Sequence, residues 1–248
     1  MTITFETKVW ENDWELMLKS SRLEKMIDRC KHEFDQKILY INNVQDYSKV
    51  AHIADRLIQG GIIDRYVNVN DYADEAMAFF SLNRNKLGIG YYYSIAELVS
   101  IYLTKTEYLL HFSSDSIVST ETPSQWLSDG IATLNKDNNV KVFNLTWNRE
   151  YSAAKSESEY DDALNVYGFG FSDQMYLIRS ADFKKSIYEY YDPASERYPE
   201  YGGQLFEKRV DSWMRQNNFL RATYKNGSYI HKNFPKNAFL KKIQMWVT

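Results

Sequence analysis

Residues 88–116 have the sequence GIGYYYSIAELVSIYLTKTEYLLHFSSDS. After the glycines, apolar side chains recur at the spacing of one helix face, at Ile95, Leu98, Val99 and Tyr102. The apolar run Tyr108–Phe112 that follows is short, as in a parallel strand that is buried on both sides. Asp115 comes just after this run, and open α/β sheets bind their ligands beyond the carboxyl ends of their strands. The stretch therefore predicts an α/β protein with Asp115 at a ligand-binding edge of the sheet.

Strand and helix patterns alternate through the first half of the chain. Short apolar runs predict strands at residues 2–5, 37–41 and 66–69. Helical spacing predicts one helix from Trp14 to about His32 and another over residues 50–58, which Gly60 and Gly61 close. Such alternation favours a largely parallel sheet with helices on its faces.

The second half has longer polar stretches between its predicted elements. Helices are predicted at residues 126–134 and 206–214, and strands at residues 140–145 and 175–178. The acidic, serine-rich segment 151–162 predicts a mobile loop over the site. No low-complexity linker or internal repeat divides the sequence, so we expect a single domain over residues 1–248.

Composition excludes several classes of protein. The net charge of −3 argues against a general nucleic-acid-binding surface. The one cysteine, Cys30, excludes an internal disulfide bond and fits a reducing compartment, and its apolar neighbours at helical spacing predict a packed core thiol. No apolar run approaches the roughly 20 residues of a membrane span, and the N-terminus has no signal-peptide core. We therefore expect a cytoplasmic protein.

The segment from the glycines to Asp115 resembles the centre of nucleotide-sugar glycosyltransferases of the GT-A fold, in particular the family-2-like bacterial and viral enzymes. In that family an Asp-x-Asp motif holds a divalent metal against the diphosphate of the sugar nucleotide. In this chain Ser113 replaces the first acid and Asp115 remains. Mg²⁺ and Mn²⁺ prefer oxygen ligands, so one carboxylate with phosphate oxygens and water can hold the ion. The alternative is that Asp115 only caps the next turn.

A second motif of the same family lies further along the chain. The sequence GGQLFEKRVDSWMR over residues 202–215 is followed by FLRATY and SYIHKN. The resemblance implies that Glu207 lies near the catalytic acid, Arg215 at the end of the helix, and His231 at a further metal ligand. The chain departs from the family where an adjacent Glu-Asp pair is Glu207-Lys208 here. The alternatives are a solvated acid in the first helical turn for Glu207 and a surface histidine for His231.

With both motifs, the resemblance covers most of the chain and implies a mixed, mostly parallel α/β sheet flanked by helices. Residues 1–118 would bind the nucleotide sugar, and residues 119–248 would bind the acceptor and carry the catalytic groups. The resemblance assigns six residues to the nucleotide sugar: Thr7, Asn43, Asp71, Ser94, Ser114 and Asp115. It assigns the Mn²⁺ or Mg²⁺ ion to Asp115 and His231.

The implied reaction is an inverting transfer from a UDP, GDP or dTDP sugar to a glycan or another hydroxyl acceptor, as in polysaccharide biosynthesis. Such a transfer needs a base beside the acceptor hydroxyl, and a partly shielded carboxylate suits this role. Glu207 is the first candidate. Asp211 is the second, because four residues along a helix return to the same side. Asp173 is the third, because its FSDQ turn can also point into the acceptor cleft.

Two other functions fit the same residues. The missing first acid suits a non-catalytic carbohydrate-binding protein on this fold. A nucleotidyltransferase would share the nucleotide and the metal but transfer a nucleotidyl group. The sequence contains neither a P-loop motif nor a GxGxxG motif that opens a helix after the first strand.

The C-terminal segment, residues 232–248, has an apolar face with lysines close by: Leu240, Ile243, Val247, Lys236, Lys241 and Lys242. This pattern is typical of a short interfacial helix, and also of a tail that packs on its own domain. We expect membrane contact through this segment to be peripheral at most.

Overall fold

The computed structural model describes residues 1–198 and 202–235. These residues form one mixed sheet of ten strands with helices on both faces, which confirms the predicted fold class. The strands are β1 (Ile3–Val9), β2 (Gln36–Ile41), β3 (Arg65–Asn68), β4 (Tyr108–Phe112), β5 (Ser116–Val118), β6 (Val140–Trp147), β7 (Ser158–Asp161), β8 (Asn165–Gly168), β9 (Met175–Arg179) and β10 (Leu220–His231). The helices are α1 (Trp14–Lys19), α2 (Arg22–Asp28), α3 (Tyr47–Gln59), α4 (Val69–Phe79), α5 (Arg84–Leu87), α6 (Tyr91–Leu103), α7 (Trp126–Lys136), α8 (Tyr151–Ser156), α9 (Ser180–Phe183) and α10 (Phe206–Gln216).

The first half of the sheet is parallel, as predicted. Its strand order is β3-β2-β1-β4, and β4 is buried along its whole length. The chain steps outward from β1 to β3 and then returns to pair β4 on the other side of β1. Such a reversal leaves a ligand-binding crevice beyond the carboxyl ends of the two strands that flank it, here β1 and β4.

The second half of the sheet is mostly antiparallel. It continues from β4 through β9, β6, β10 and β8 to β7. The long strand β10 pairs in parallel with β6, and its last residues pair antiparallel with β5, which places His231 opposite Ser116. The backbone amide of Lys232 also donates to the carbonyl oxygen of Asp115 at 3.1 Å. The end of β10 therefore returns to the crevice that follows β4.

Two apolar layers hold the sheet. Leu110 and Phe143 face a layer built with α1, α2, α3 and α7, whereas their neighbours Leu109 and Val142 face a layer built with α4, α6 and α10. This alternation is what the two-residue repeat of a strand requires when both faces of a sheet are covered. The loops at the strand ends, which carry the polar side chains of the crevice, are thus anchored in a packed core.

Two predicted elements in the first half end differently in the structure. The helix predicted from Trp14 to about His32 is two short helices, because Ser20 between them has extended backbone. The strand predicted at residues 66–69 ends at Asn68, whose side-chain oxygen accepts a hydrogen bond from the Asn70 amide at 3.3 Å. This bond caps α4, so the helix begins where the apolar pattern suggested a strand.

Residues 151–162, predicted as a mobile loop, form α8 and β7 instead. The strand forms because β7 pairs with β8. Gly168 permits this approach, since a Cβ atom there would lie 2.3 Å from the carbonyl oxygen of Glu157. The segment is therefore built onto the edge of the sheet.

Within residues 1–198 and 202–235, no helix has both the length and the apolar character that crossing a membrane requires. The interfacial helix was predicted within residues 232–248, of which residues 236–248 lie outside the described residues. Cys30 is fully buried, and its thiol donates to the Met26 carbonyl oxygen at 3.3 Å, as expected of a core thiol.

Candidate active site

Asp115 and His231 lie side by side where β4 ends. Nε2 of His231 is 3.1 Å from Oδ2 of Asp115, and the Ser113 hydroxyl donates to Oδ1 of Asp115 at 2.9 Å. Burial alone would raise the pKa of Asp115, but the hydrogen bonds from His231 and Ser113 and the charge of His231 hold that pKa below its ordinary value. Asp115 is therefore an ionised carboxylate near neutral pH, and 21% of its side chain is exposed.

Asn148 fixes the backbone of His231 from both sides. Its Nδ2 donates to the His231 carbonyl oxygen at 3.2 Å, and its Oδ1 accepts from the His231 amide at 2.8 Å. Asn148 has a φ of 45°, in the left-handed region that asparagine tolerates better than most residues. Asn148 was not predicted as a site residue, because it lies three residues beyond the predicted strand 140–145, and only the observed β6 extends as far as the residue before it.

Asp13 is a second acid at this edge that the sequence analysis missed. Its carboxylate accepts hydrogen bonds from the Ser114 hydroxyl and, at 2.7 Å, from the Trp10 amide. Burial raises the pKa of Asp13 to about 7, and the negative charge of Asp115 adds to the rise. Asp13 thus holds Ser114 and the loop after β4 in place, close to the ligand-binding edge.

The residues at this edge fit a divalent metal that takes most of its ligands from a substrate. In the described part of the chain, no group of three or more His, Cys, Asp and Glu side chains is placed to hold an ion. Asp115 and His231 instead offer one carboxylate and one imidazole, partly exposed and in contact. Mg²⁺ and Mn²⁺ accept such donors and complete their shells with phosphate oxygens and water.

A backbone hydrogen bond joins the loop that carries Asp115 to the turn that contains Asp173. The Ser113 amide donates to the carbonyl oxygen of Gln174 at 2.8 Å. Ser113 lies two residues before Asp115, and Gln174 directly follows Asp173. The turn that precedes β9 is therefore fastened to the loop that follows β4.

Glu207 and Asp173 meet on the other side of that turn. The backbone amide of Asp173 donates to Oε1 of Glu207 at 3.2 Å, and both side chains are partly buried. Burial, and then the repulsion from the Asp173 carboxylate, raise the pKa of Glu207 well above its ordinary value. Two of the three predicted base candidates are thus neighbours.

Asp211, the remaining base candidate, is engaged in contacts within the protein. Its side chain is fully buried, and Oδ2 accepts from the Ser195 hydroxyl at 2.7 Å and from Nε of Arg215 at 2.9 Å. Arg215 in turn lies over the ring of Phe169, 5.3 Å from its centroid. Asp211 is buried because the 3₁₀ turn Pro193–Arg197, which contains Ser195, packs against α10.

A cleft of about 340 Å³ opens beside Asp173. Ser172 and Gln174, which flank Asp173, contribute to its wall, and β6, α8 and β10 supply the rest. Tyr229 lies in this wall with its hydroxyl 3.3 Å from Oε1 of Gln174. Arg221 also lines the cleft. The sequence analysis identified none of these lining residues, because they come from elements that are distant along the chain.

Three residues assigned to the nucleotide sugar lie on different parts of the parallel edge. Thr7 was predicted at a strand end, but β1 continues to Val9, so Thr7 is fully buried inside the strand. Asn43 follows β2 in left-handed backbone, and its Nδ2 donates to the Tyr92 carbonyl oxygen at 3.4 Å. Asp71 lies in the exposed first turn of α4 and accepts from Nδ2 of Asn68 at 2.8 Å.

Ser94 connects α6 to the helix that carries Glu207. Its hydroxyl donates to the Gly90 carbonyl oxygen at 2.6 Å and accepts from the Phe206 amide at 2.7 Å. The first amides of a helix have no partner within the helix, and Ser94 satisfies one of them for α10. Ser94 is fully buried, so the structure gives it a supporting position rather than one facing the crevice.

No protein-family model matches the chain, and no curated protein matches its sequence. Solved structures match its fold. TarS from S. aureus matches with a TM-score of 0.51 and 10% identity, over 94% of this chain and 60% of that chain. Glucosyl-3-phosphoglycerate synthase from Mycobacterium tuberculosis, solved with Mg²⁺ and UDP, matches with a TM-score of 0.50 and 12% identity, over 97% of this chain and 75% of that chain.

GalNAc-T7, solved with UDP, GalNAc and Mn²⁺, matches with a TM-score of 0.57 and 9% identity. The match covers 100% of this chain and 48% of that chain, so the chain spans about half of the length of GalNAc-T7. These matches confirm, at the level of fold, the resemblance drawn from the two sequence motifs. The chain has the GT-A fold of nucleotide-sugar glycosyltransferases.

Proposed function

We propose that this protein transfers a sugar from a nucleoside-diphosphate sugar to a hydroxyl group of a glycan or similar acceptor, with inversion at the anomeric carbon. One observation carries the proposal: the carboxylate of Glu207, in the first turn of α10, accepts a hydrogen bond from the Asp173 amide, and the turn that contains Asp173 is hydrogen-bonded to the loop of the Asp115–His231 pair. A base and a diphosphate-binding edge side by side are what such a transfer needs.

Asp115 and His231 are the residues that would hold Mn²⁺ or Mg²⁺. A bound ion of this kind neutralises the charge that develops on a diphosphate leaving group. Asp115 suits this role because its carboxylate is ionised. Asn148 would support the site, because it fixes the backbone of His231. Asp13 supports the same loop through Ser114.

Glu207 is the proposed general base. Its carboxylate would take the proton of the acceptor hydroxyl while the bond from the sugar carbon to the diphosphate oxygen breaks. The leaving diphosphate keeps the electron pair, and the acceptor oxygen forms the new bond on the opposite face of the sugar. Burial and the negative charge of Asp173 both raise the pKa of Glu207, and Asp173, the third candidate from the sequence, is the alternative base.

We further propose that the enzyme works in the cytoplasm, because a chain with one buried cysteine suits a reducing compartment. UDP sugars are the first donors to test, since UDP is present in two of the solved structures that share the fold.

A thermal-shift screen tests donor binding directly. Sugars of UDP, GDP, dTDP and CMP would each be added with and without Mn²⁺. A ligand that binds only the native state adds about 2.7 kcal/mol of stability at one hundred times its Kd. We expect one class of nucleotide sugar to raise Tm, and to do so only with the metal present. A screen in which no nucleotide sugar raises Tm would oppose the proposal.

A further inference from the structure

Arg197 and Arg221 converge on Gly170 at the side of the cleft. A Cβ atom at Gly170 would lie 2.5 Å from Nη2 of Arg197 and 3.0 Å from Nη1 of Arg221. Gly170 also has a φ of +117°, which side chains other than glycine rarely adopt. Two guanidinium groups from distant parts of the chain therefore share a space that exists because residue 170 has no side chain.

The carboxylate of Glu157 bridges these two arginines loosely. Its Oε1 is 3.7 Å from Nη1 of Arg197, and its Oε2 is 3.5 Å from Nη2 of Arg221. Good hydrogen bonds between a guanidinium and a carboxylate measure about 2.7–2.9 Å, so neither contact is a strong one. Glu157 follows the short helix α8, and half of its side chain is exposed, so it can move aside without disturbing the core.

Arg221 has a donor that Glu157 does not use. Its side chain is 12% exposed, and its Nε is buried without a hydrogen-bond partner among residues 1–198 and 202–235. A buried donor without an acceptor is unfavourable. An oxygen atom of a ligand that reaches Nε of Arg221 would supply the missing acceptor.

The two arginines lie close to the proposed base. The charge of Arg197 acts on Glu207 and partly offsets the rise in the pKa of Glu207. Arg221 lines the same cleft as Ser172 and Gln174, the two neighbours of Asp173. A group held by the arginines would therefore belong to a molecule that extends toward Glu207, as an acceptor must.

We propose that Arg197 and Arg221 bind an oxyanion, a phosphate or a carboxylate, that the acceptor carries. The inference rests on the proposed function in that the anionic molecule is taken to be the glycosyl acceptor. Planar guanidinium forks bind both kinds of oxyanion through paired hydrogen bonds. In the structure Glu157 occupies the place of this oxyanion, and the acceptor displaces it.

Calorimetry with small charged and neutral ligands tests the inference on the full chain. The matched pairs are glycerol 3-phosphate against glycerol for a phosphate, and glucuronate against glucose for a carboxylate. We expect at least one charged member to bind and its neutral partner not to bind. Arg221→Gln and Arg197→Gln should each weaken this binding about tenfold, because each removes hydrogen bonds to a charged group.

Glu157→Gln gives the sharper test. It removes the carboxylate that competes with the ligand for the two arginines, so the charged ligand should bind about threefold more tightly, as expected for the loss of a weak ion pair. Glu159→Gln is the matched control, since it removes an exposed carboxylate of the same segment, and it should leave the affinity unchanged. Equal binding of charged and neutral ligands, or unchanged affinity in both Arg221→Gln and Glu157→Gln, would overturn the inference.

Binding of UDP with Mn²⁺ to the wild-type protein separates this inference from the proposed function. A protein that binds UDP but does not prefer the charged ligands overturns the inference alone. A protein that prefers the charged ligands but does not bind any nucleotide contradicts the proposed donor chemistry and leaves the arginine site standing.

Discussion

The backbone amide of Asp173 donates a hydrogen bond to Oε1 of Glu207 at 3.2 Å. Burial raises the pKa of Glu207, and the charge of the Asp173 side chain adds more to this rise than the hydrogen bond from its amide takes away. One residue thus both orients a carboxylate and makes it more basic. The turn that contains Asp173 is fastened to Ser113 through Gln174, so the orientation of Glu207 depends on the loop that carries Asp115.

Glu207→Gln should lower the rate of sugar transfer by about two to four orders of magnitude, the usual contribution of a general base. The affinity for the donor should stay within about twofold, because the proposed role of Glu207 concerns the acceptor hydroxyl and not the donor. Initial rates and donor titrations check both statements. If transfer survives in Glu207→Gln, the base is Asp173, and Asp173→Asn should then abolish it.

The pH profile of kcat/KM should show a rise that reports the ionisation of Glu207. Because burial and Asp173 raise the pKa of Glu207, this rise should lie well above the range of an ordinary glutamate. Asp173→Asn removes one negative charge but keeps the backbone amide, so the pKa of Glu207 should fall and the rise should move to lower pH. An unchanged profile in Asp173→Asn would show that the two carboxylates do not interact during catalysis.

Asp115→Asn should abolish the dependence of UDP binding on Mn²⁺ while the protein stays folded, because the residue follows a strand and is partly exposed. Asn148→Ala should weaken the Mn²⁺-dependent binding by about tenfold to a hundredfold, since supporting residues of metal ligands have effects of this size. Calorimetry with and without Mn²⁺ measures both changes. Unchanged Mn²⁺ dependence in Asp115→Asn removes Asp115 from the site.

Ser94→Ala should lower the free energy of unfolding by about 1–3 kcal/mol, because the buried Phe206 amide loses its acceptor. Ser128→Ala is the matched control: its hydroxyl is exposed, and the loss should stay within about 0.5 kcal/mol. Urea denaturation of both variants gives the comparison. Equal stability of Ser94→Ala and the wild type would mean that α10 does not depend on this bond.

Sequence patterns predicted the elements whose burial is regular. The strand β4 was predicted because its unbroken apolar run corresponds to burial on both faces, and the helix α6 because its apolar residues recur at helical spacing on the face that is buried. The prediction of Asp115 as a site residue followed from its position after β4. The first strand was predicted too short because Glu6 and Lys8 interrupt its apolar pattern. Both are paired inside the fold, Glu6 with Nδ1 of His111 at 2.6 Å and Lys8 with Glu97.

That shortened strand explains why Asp13 was missed. With β1 ending at Val9, Asp13 falls in the loop beyond its carboxyl end, at the edge where ligands bind. Asn148 and Arg221 were missed for a different reason. Their roles depend on contacts with His231 and Glu157, 83 residues and more than 60 residues away along the chain, and local periodicity carries no information on such contacts.

Identification of the products tests the central claim most directly. The protein would be incubated with Mn²⁺, each nucleotide sugar that raises its Tm, and both charged and neutral acceptors, and the released nucleotide and the acceptor would be analysed by mass spectrometry. The account predicts release of a nucleoside diphosphate together with a glycosylated acceptor, and loss of both in Glu207→Gln. Release of pyrophosphate, or binding of a nucleotide sugar without any turnover, would contradict it.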